Sequence, residues 1–293
     1  MKISSPIFLS AYLSAILFFS IQISFAQIAQ ELPADIRQFD DPPLADINHG
    51  AVDSLSGICP ANRYGEYWGV NDRGDASIFR FNQQGEVLQV VRFLEIQNND
   101  WEAITRDSQG ILYIGAFGDQ AETRESYQII ALQEPHPEQN QVAPADIQVY
   151  TFRYQDNESR DCEAFFPLDG RIYLITRGSR GEDFDEQSRL YRINGLISNT
   201  VLIAAEIGRF RFPALVTDAA YSPQFNTLIV LMYNYLAFFT IDSETDLLLT
   251  MPTYAQGDYG RSEALCFDRE QVIITSQDGK LWVYPLPFLT GGQ

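Results

Sequence analysis

The chain reads as an all-β protein, a five-bladed β-propeller of four-stranded blades, and three observations predict it. First, one unit recurs. Its clearest copy is NDWEAITRDSQGILYIGAFGD, residues 99–119, in which an acidic residue followed by Ala opens an apolar strand, a Gly-bearing turn follows, and a second strand without charge comes next. Close copies begin at Arg160 and Gly260, a looser one at Val216, and a degenerate one at Leu55, where Ser56 takes the acidic register and Gly57 replaces Ala. Second, the register positions 56, 102, 163, 218 and 263 are 46, 61, 55 and 45 residues apart. Periods of this size belong to repeat architectures, and four short strands per period belong to propeller blades. Third, second strands such as TLIVLM are apolar throughout, as strands covered on both faces are. Six blades is the alternative, since the 61-residue step has room for another unit.

The elements follow in order. Lys2 precedes an apolar run over residues 7–21, and Ser24 and Ala26 supply small residues for a signal peptidase. Residues 1–26 therefore read as a cleavable secretory signal, cut after Ala26, which predicts a periplasmic or secreted protein. A membrane anchor needs about 20 apolar residues, whereas Ser10, Ser14, Ser20 and Gln22 interrupt this run. No membrane insertion is expected after cleavage. Residues 27–52 are polar and broken by Pro33, Pro42 and Pro43, a connecting segment in which 34–39 can form one strand. The propeller domain covers 53–293.

Its first repeat offers strands at 56–59, 67–71, 77–81 and 87–93, joined by Gly- and Asn-rich turns. The second offers 102–106, 112–117, 127–132 and 147–154, with a Pro-rich loop over 134–144 that lengthens its period. The third gives 163–167, 172–176, 189–193 and 201–207; the fourth gives 218–221, 228–233, 237–241 and 247–251. The last has only 263–267, 272–276 and 281–285. An open edge is an aggregation liability, so the strand at 34–39 is expected to close the last blade beside 281–285.

Composition excludes several functions. The chain carries 39 acidic and 20 basic residues, a formal net charge of −19, which repels nucleic acid and anionic membranes and tolerates cations. It also serves solubility alone. Only His49 and His136 are present, which disfavours a His-based triad or a His-rich metal centre. No phosphate-binding glycine loop or dinucleotide fingerprint occurs. Asp242, Glu244 and Asp246 share the first spacings of a calcium loop, but without its central Gly they read as a polar hairpin. Three cysteines, Cys59, Cys162 and Cys266, make no disulfide framework. Cys59 and Cys266 hold equivalent places in the first and last repeats and could form one bridge, although buried thiols pack well as small apolar groups. Trp68, Trp101 and Trp282 read as blade packing.

Taken together, SGIC…YWGVNDRGD, NDWEAI, YIGAFGD, DCEAFFPLDGRIYLITR and VTDAAYSP resemble a group of secreted bacterial propellers of mostly unknown function, near the phytase-like and SMP-30/gluconolactonase-like propellers. The likeness covers about residues 53–280. It implies a divalent cation, often calcium, at the mouth of the central channel, and hydrolysis of phosphoesters or lactones in some members. Where relatives tend to show IGDxGDN this chain has IGAFGDQ, so Ala116 and Gln120 remove two potential oxygen ligands.

In a propeller the innermost strand begins, and the second strand ends, on one face of the disc. Ser56, Glu102, Glu163, Asp218 and Glu263 should therefore share a rim with Asn71, Asp72, Asp119, Arg177, Asn234 and Gln277. Carboxylates gathered on an axis repel by several kcal/mol per close pair at an effective dielectric of about 20. They need a cation, a raised pKa or hydrogen bonds. One expectation is a cation site of Glu102, Glu163, Asp218 and Glu263, with Asp72 and Asp119 as outer contributors; oxygen ligands suit calcium or another hard divalent ion. The other is that each carboxylate caps N–H groups of a neighbouring blade. Arg73, Arg124 and Arg177, with Asn71, are expected around the rim, either recognising a small anionic molecule or pairing with Asp72, Asp119 and Glu163. Two function classes stay open: a non-catalytic propeller binding a small ligand or another envelope protein, and a metal-dependent hydrolase with Glu163 as general base.

Overall fold

The computed structural model describes residues 28–29, 36–178, 187–242, 247–248 and 252–290. Residues 1–26, read above as a secretory signal, most of the 242–246 segment and residues 249–251 lie outside that set. The N-terminal segment contributes three short strands, β1 (Ile28–Ala29), β2 (Arg37–Phe39) and β3 (Ala45–Asp46). Antiparallel ladders follow in chain order. The first runs β4 (Leu55–Pro60), β5 (Glu66–Asn71), β6 (Ser77–Asn82) and β7 (Val87–Phe93). The second is β8 (Trp101–Arg106), β9 (Ile111–Ala116), β10 (Tyr127–Gln133) and, beyond the two-residue β11 (Gln141–Val142), β12 (Ile147–Tyr154). The third is β13 (Cys162–Leu168), β14 (Arg171–Thr176), β15 (Ser188–Ile193) and β16 (Val201–Arg211).

The fourth runs β17 (Val216–Ser222), β18 (Thr227–Met232) and β19 (Tyr235–Asp242), with β20 (Leu247–Leu248) on the end of β19 and β21 (Thr253–Gly257) as its outer strand. The last is β22 (Ser262–Asp268), β23 (Gln271–Ser276) and β24 (Lys280–Pro285), followed by a five-residue helix α1 (Leu286–Thr290). Tight turns hold the ladders. Between β13 and β14, Asp169 (φ 50) and Gly170 (φ 73) both take the left-handed conformation that a two-residue hairpin needs.

β4, β8, β13, β17 and β22 pack against one another in that order, and β22 returns to β4. The hydrophobic cores repeat the pattern. Trp68, Val70, Trp101 and Ile114 fill the layer between the first and second ladders; Phe117, Phe152, Phe165 and Leu174 fill the next. Tyr173, Val230 and Phe239 lie between third and fourth, Leu231, Ile274 and Trp282 between fourth and last, and Leu55, Phe79 and Ile273 join the last to the first. Ladders closed on an axis through their first strands make a β-propeller.

Two strand expectations are corrected. The last ladder is completed by β3, with Leu281 opposite Ala45 and Lys280 opposite Asp46, and not by 34–39. Residues 37–39 instead extend the fourth ladder, parallel to β21. Phe39 is buried in the layer before the last ladder and Ile47 in the layer after it. Pro42 and Pro43, which have no N–H to donate, fall in the crossing between them. In the fourth ladder the outer place belongs to β21, while 247–248 only lengthens a hairpin.

The outer edges find partners. β11 lies parallel on β7, β12 on β16, β1 on β16 and β2 on β21. All three cysteines are free and buried. Cys266 belongs to the last-to-first layer and Cys59 to the first-to-second layer, so the two thiols face the same way around the ring and not each other. Among the described residues no helix is long and apolar enough to cross a membrane.

Candidate functional site

Every innermost strand carries a bulge at its start. The residues skipped in the pairing with the second strand are Ser56, Glu102, Glu163, Thr217 and Glu263. A bulge bends the strand and re-aims its side chain, and the next residue is small where neighbouring first strands touch. A methyl on Gly57 would lie 2.6 Å from Ala103 Cα and 2.7 Å from Ile104 N.

This register moves Asp218. Thr217, not Asp218, is the fourth ladder's counterpart of the glutamates, and Asp218 takes the place of Gly57 and Ala103. Its carboxylate accepts from Ala219 N at 2.8 Å and from Leu265 N, in the neighbouring first strand, at 2.7 Å. Burial raises its pKa and those two N–H groups pull it back. Asp218 thus ties two ladders together, the second of the two roles expected for these carboxylates.

The other candidates separate in the same way. Asp119 caps its own turn, accepting from Thr123 N (3.0 Å), Arg124 N (2.8 Å) and Tyr127 Oη (3.0 Å). Arg124 donates to the carbonyls of Ala116, Gly118 and Asn99 at 3.0, 2.7 and 3.3 Å. It clamps the loop around Gly118. Glu163, 1% exposed, is ion-paired with Arg177, which also lies 3.6 Å from Asp161 and donates to Tyr233 Oη at 2.7 Å. Burial pushes the Glu163 carboxyl up, Glu102 adds to this, and Arg177 opposes it. Glu263 pairs with Arg261 at 3.2 Å; burial pushes it up to about 7 against the pull of Arg177 and Arg261. Asn71 and Arg73 turn away from the axis. Asn71 holds Asp53 N, Ser54 N and Ala51 O, and both residues line a lateral cavity of about 560 Å³ with His49 and Arg92.

What remains at the mouth is a carboxyl pair. Glu102 accepts from Ser56 Oγ at 2.7 Å. Asp100, held at φ 64, brings its carboxyl against that of Glu102 over Gly118, where a methyl would lie 2.5 Å from Glu102 Oε1 and 2.6 Å from Asp100 Oδ2. The two carboxyls lie close enough to raise each other's cost of ionisation. Burial raises Glu102, followed by the charges of Asp100, Asp161 and Asp72. Burial also raises Asp100. Neither makes an ion pair among the described residues. Asp72 Oδ1 is buried without a hydrogen-bond partner, 3.9 Å from Arg73 Nε.

Among the described residues no three His, Cys, Asp or Glu side chains form a ready cage for an ion, and three of the four expected carboxylates, Glu163, Glu263 and Asp218, are already engaged by Arg177, Arg261 and backbone N–H groups. The Asp100–Glu102 pair fits the open kind of site, in which one or two carboxylates hold a hard cation and water and ligand supply the rest.

Asp100 and Asp161 were not among the expected site residues. Their signal is an acidic residue two places before the register glutamate, D-W-E at 100–102 and D-C-E at 161–163, with Arg261 in the same place of the last repeat.

No family model and no curated protein matches the chain. Solved structures do. A nidogen/laminin complex is similar at TM-score 0.47 and 10% identity, over 83% of this chain and 80% of that one. A structural-genomics protein of unknown function from Bacteroides thetaiotaomicron gives 0.45 and 10%, over 85% and 73%. A gluconolactonase of Xanthomonas campestris gives 0.43 and 13%, over 88% and 98%.

Proposed function

We propose that the ladders are five blades of one exported propeller, and that it binds a small anionic ligand at the channel mouth through a divalent cation on Asp100 and Glu102. The observation that carries this reading is the pair itself. The buried Glu102 carboxyl and the half-buried Asp100 carboxyl lie together over Gly118 with no salt bridge to either among the described residues, and Asp72 Oδ1 makes no hydrogen bond. Such a pair relaxes by keeping a proton or by taking a cation. A cation on two carboxylates keeps open positions for a ligand's oxygens, which reconciles an acidic mouth with an anionic ligand.

Calorimetric titration with calcium and with magnesium tests it. One site per chain, lost in Glu102→Gln, supports the reading; the absence of any divalent binding at neutral pH rejects it. The second reading is a calcium-dependent hydrolase of a phosphoester or lactone. The same pair favours it, because a raised carboxyl can deliver a proton at neutral pH. Glu163 is unsuited to the base role while Arg177 and burial hold it. Turnover of a panel of phosphoesters and lactones, with and without calcium, separates the two readings.

A further inference from the structure

We propose that the half of the axial channel remote from the carboxylates is a second binding site, for a small uncharged molecule with an apolar, ring-bearing body. The channel widens there into a cavity of about 790 Å³, within the 300–1,000 Å³ typical of small-molecule pockets. Each first strand contributes its later residues to the wall, among them Ile58, Ile104, Ala220 and Leu265, and Tyr113, Phe166 and Tyr221 add rings. The wall is preformed, because its backbone is fixed by ladder pairing.

Charge selects the class of ligand. The lining holds two basic and two acidic side chains, which balance: Arg106 pairs with Glu134 at 3.0 Å, Asp107 accepts from Tyr113 Oη at 2.9 Å and from the N–H groups of its own turn, and Asp169 and Arg171 stand at the turn between β13 and β14. Cys59 and Cys266 also line the cavity, and burial pushes both thiols up, so they are neutral. The other lining residues are aliphatic, aromatic or uncharged polar. An apolar body that packs against the aliphatic and aromatic part of the wall gains the free energy of leaving solvent. An anion finds no net positive charge in the lining and meets a chain of net charge −19. The site is independent of the cation reading at the opposite mouth.

The test is a fluorescence titration of the mature chain with N-phenyl-1-naphthylamine, an uncharged dye that brightens in apolar surroundings. One saturable site per chain is expected, with the anionic 8-anilinonaphthalene-1-sulfonate binding more weakly. Thr105 lines the cavity, so Thr105→Trp should weaken the uncharged dye by about tenfold or more, while Glu102→Gln leaves it unchanged. Absence of saturable binding, or a folded Thr105→Trp that binds as the parent does, overturns the proposal. A readout on the unsubstituted chain decides if that variant does not fold. The methyl resonances of Ile58, Ile104 and Leu265 should move on dye addition while those of Ile130 and Ile229 stay, and the opposite pattern refutes the site.

Discussion

Replacing Glu263 by Gln should change how stability depends on pH more than it changes stability itself. Glu263 is 5% exposed and burial pushes its carboxyl up to about 7 from the usual 4.5 of a glutamate. Below about pH 4.5 the group is neutral in both the folded and the unfolded chain, and its contribution to stability is fully present. Between that value and 7 the unfolded chain has released the proton and the folded chain has not, so stability falls as pH rises. Each unit of difference is worth about 1.36 kcal/mol, which makes the whole loss about 3 kcal/mol, complete above pH 7 to 8. Gln is neutral at every pH and nearly the shape of the protonated acid. Urea unfolding of both proteins between pH 4 and 8 should therefore show Glu263→Gln gaining about 3 kcal/mol on the parent across that window, with similar m-values. Equal slopes in the two proteins would refute the reasoning. They would mean that Arg261 and Arg177 hold Glu263 ionised in spite of its burial.

Arg177→Met should destabilise the fold by about 3–5 kcal/mol in thermal or urea unfolding, because it leaves Glu163 buried without its guanidinium; adding Glu163→Gln should restore much of the loss. Asp218→Ala should cost about 2–3 kcal/mol by removing the acceptor of two N–H groups, equally with and without calcium, and a calcium-dependent cost would make it a metal ligand after all. A chain beginning at Val52 lacks Phe39 and Ile47, each worth about 1.5–3 kcal/mol of burial, together with the strands on β21 and β24. It should aggregate or melt without cooperativity, and melting like the mature protein would disprove the closure. Cys59, Cys162 and Cys266 should resist alkylation in the native protein and react after denaturation, since all three are buried with raised thiols.

The recurring unit made the ladders legible because its signals are local: an acid and a small residue at the start of a strand, a turn, a run without charge. β7 and β12 fall at the expected residues, and most other strands differ at their ends. What lay beyond reach was set by contacts between distant segments. No local pattern tells that residues 45–46 rather than 34–39 complete the last ladder, because the choice depends on where Phe39 and Ile47 find a core. The register of Asp218 was misread for a related reason. In VTDAA the acid stands before Ala as in the other copies, but the bulge falls on Thr217, one residue earlier. A one-residue offset in a strand sends the side chain to the other face, and so a residue expected at the mouth became a tie between ladders.

The parallel pairing of β12 with β16 joins the second and third ladders into one sheet, of nine strands with β1 on β16. Elsewhere consecutive ladders share only isolated backbone hydrogen bonds, such as Val216 N to Arg177 O and Leu55 N to Gln277 O, or the two-residue pairing of β11 on β7. The ring is therefore mechanically uneven. Asp100, Glu102, Asp161 and Glu163 all stand in the first strands of this double unit or one residue before them, so their spacing is fixed by one continuous sheet. Strain from ligand entry, heat or force should open the ring at another seam first, and the carboxyl cluster should be among the last parts of the mouth to lose its shape.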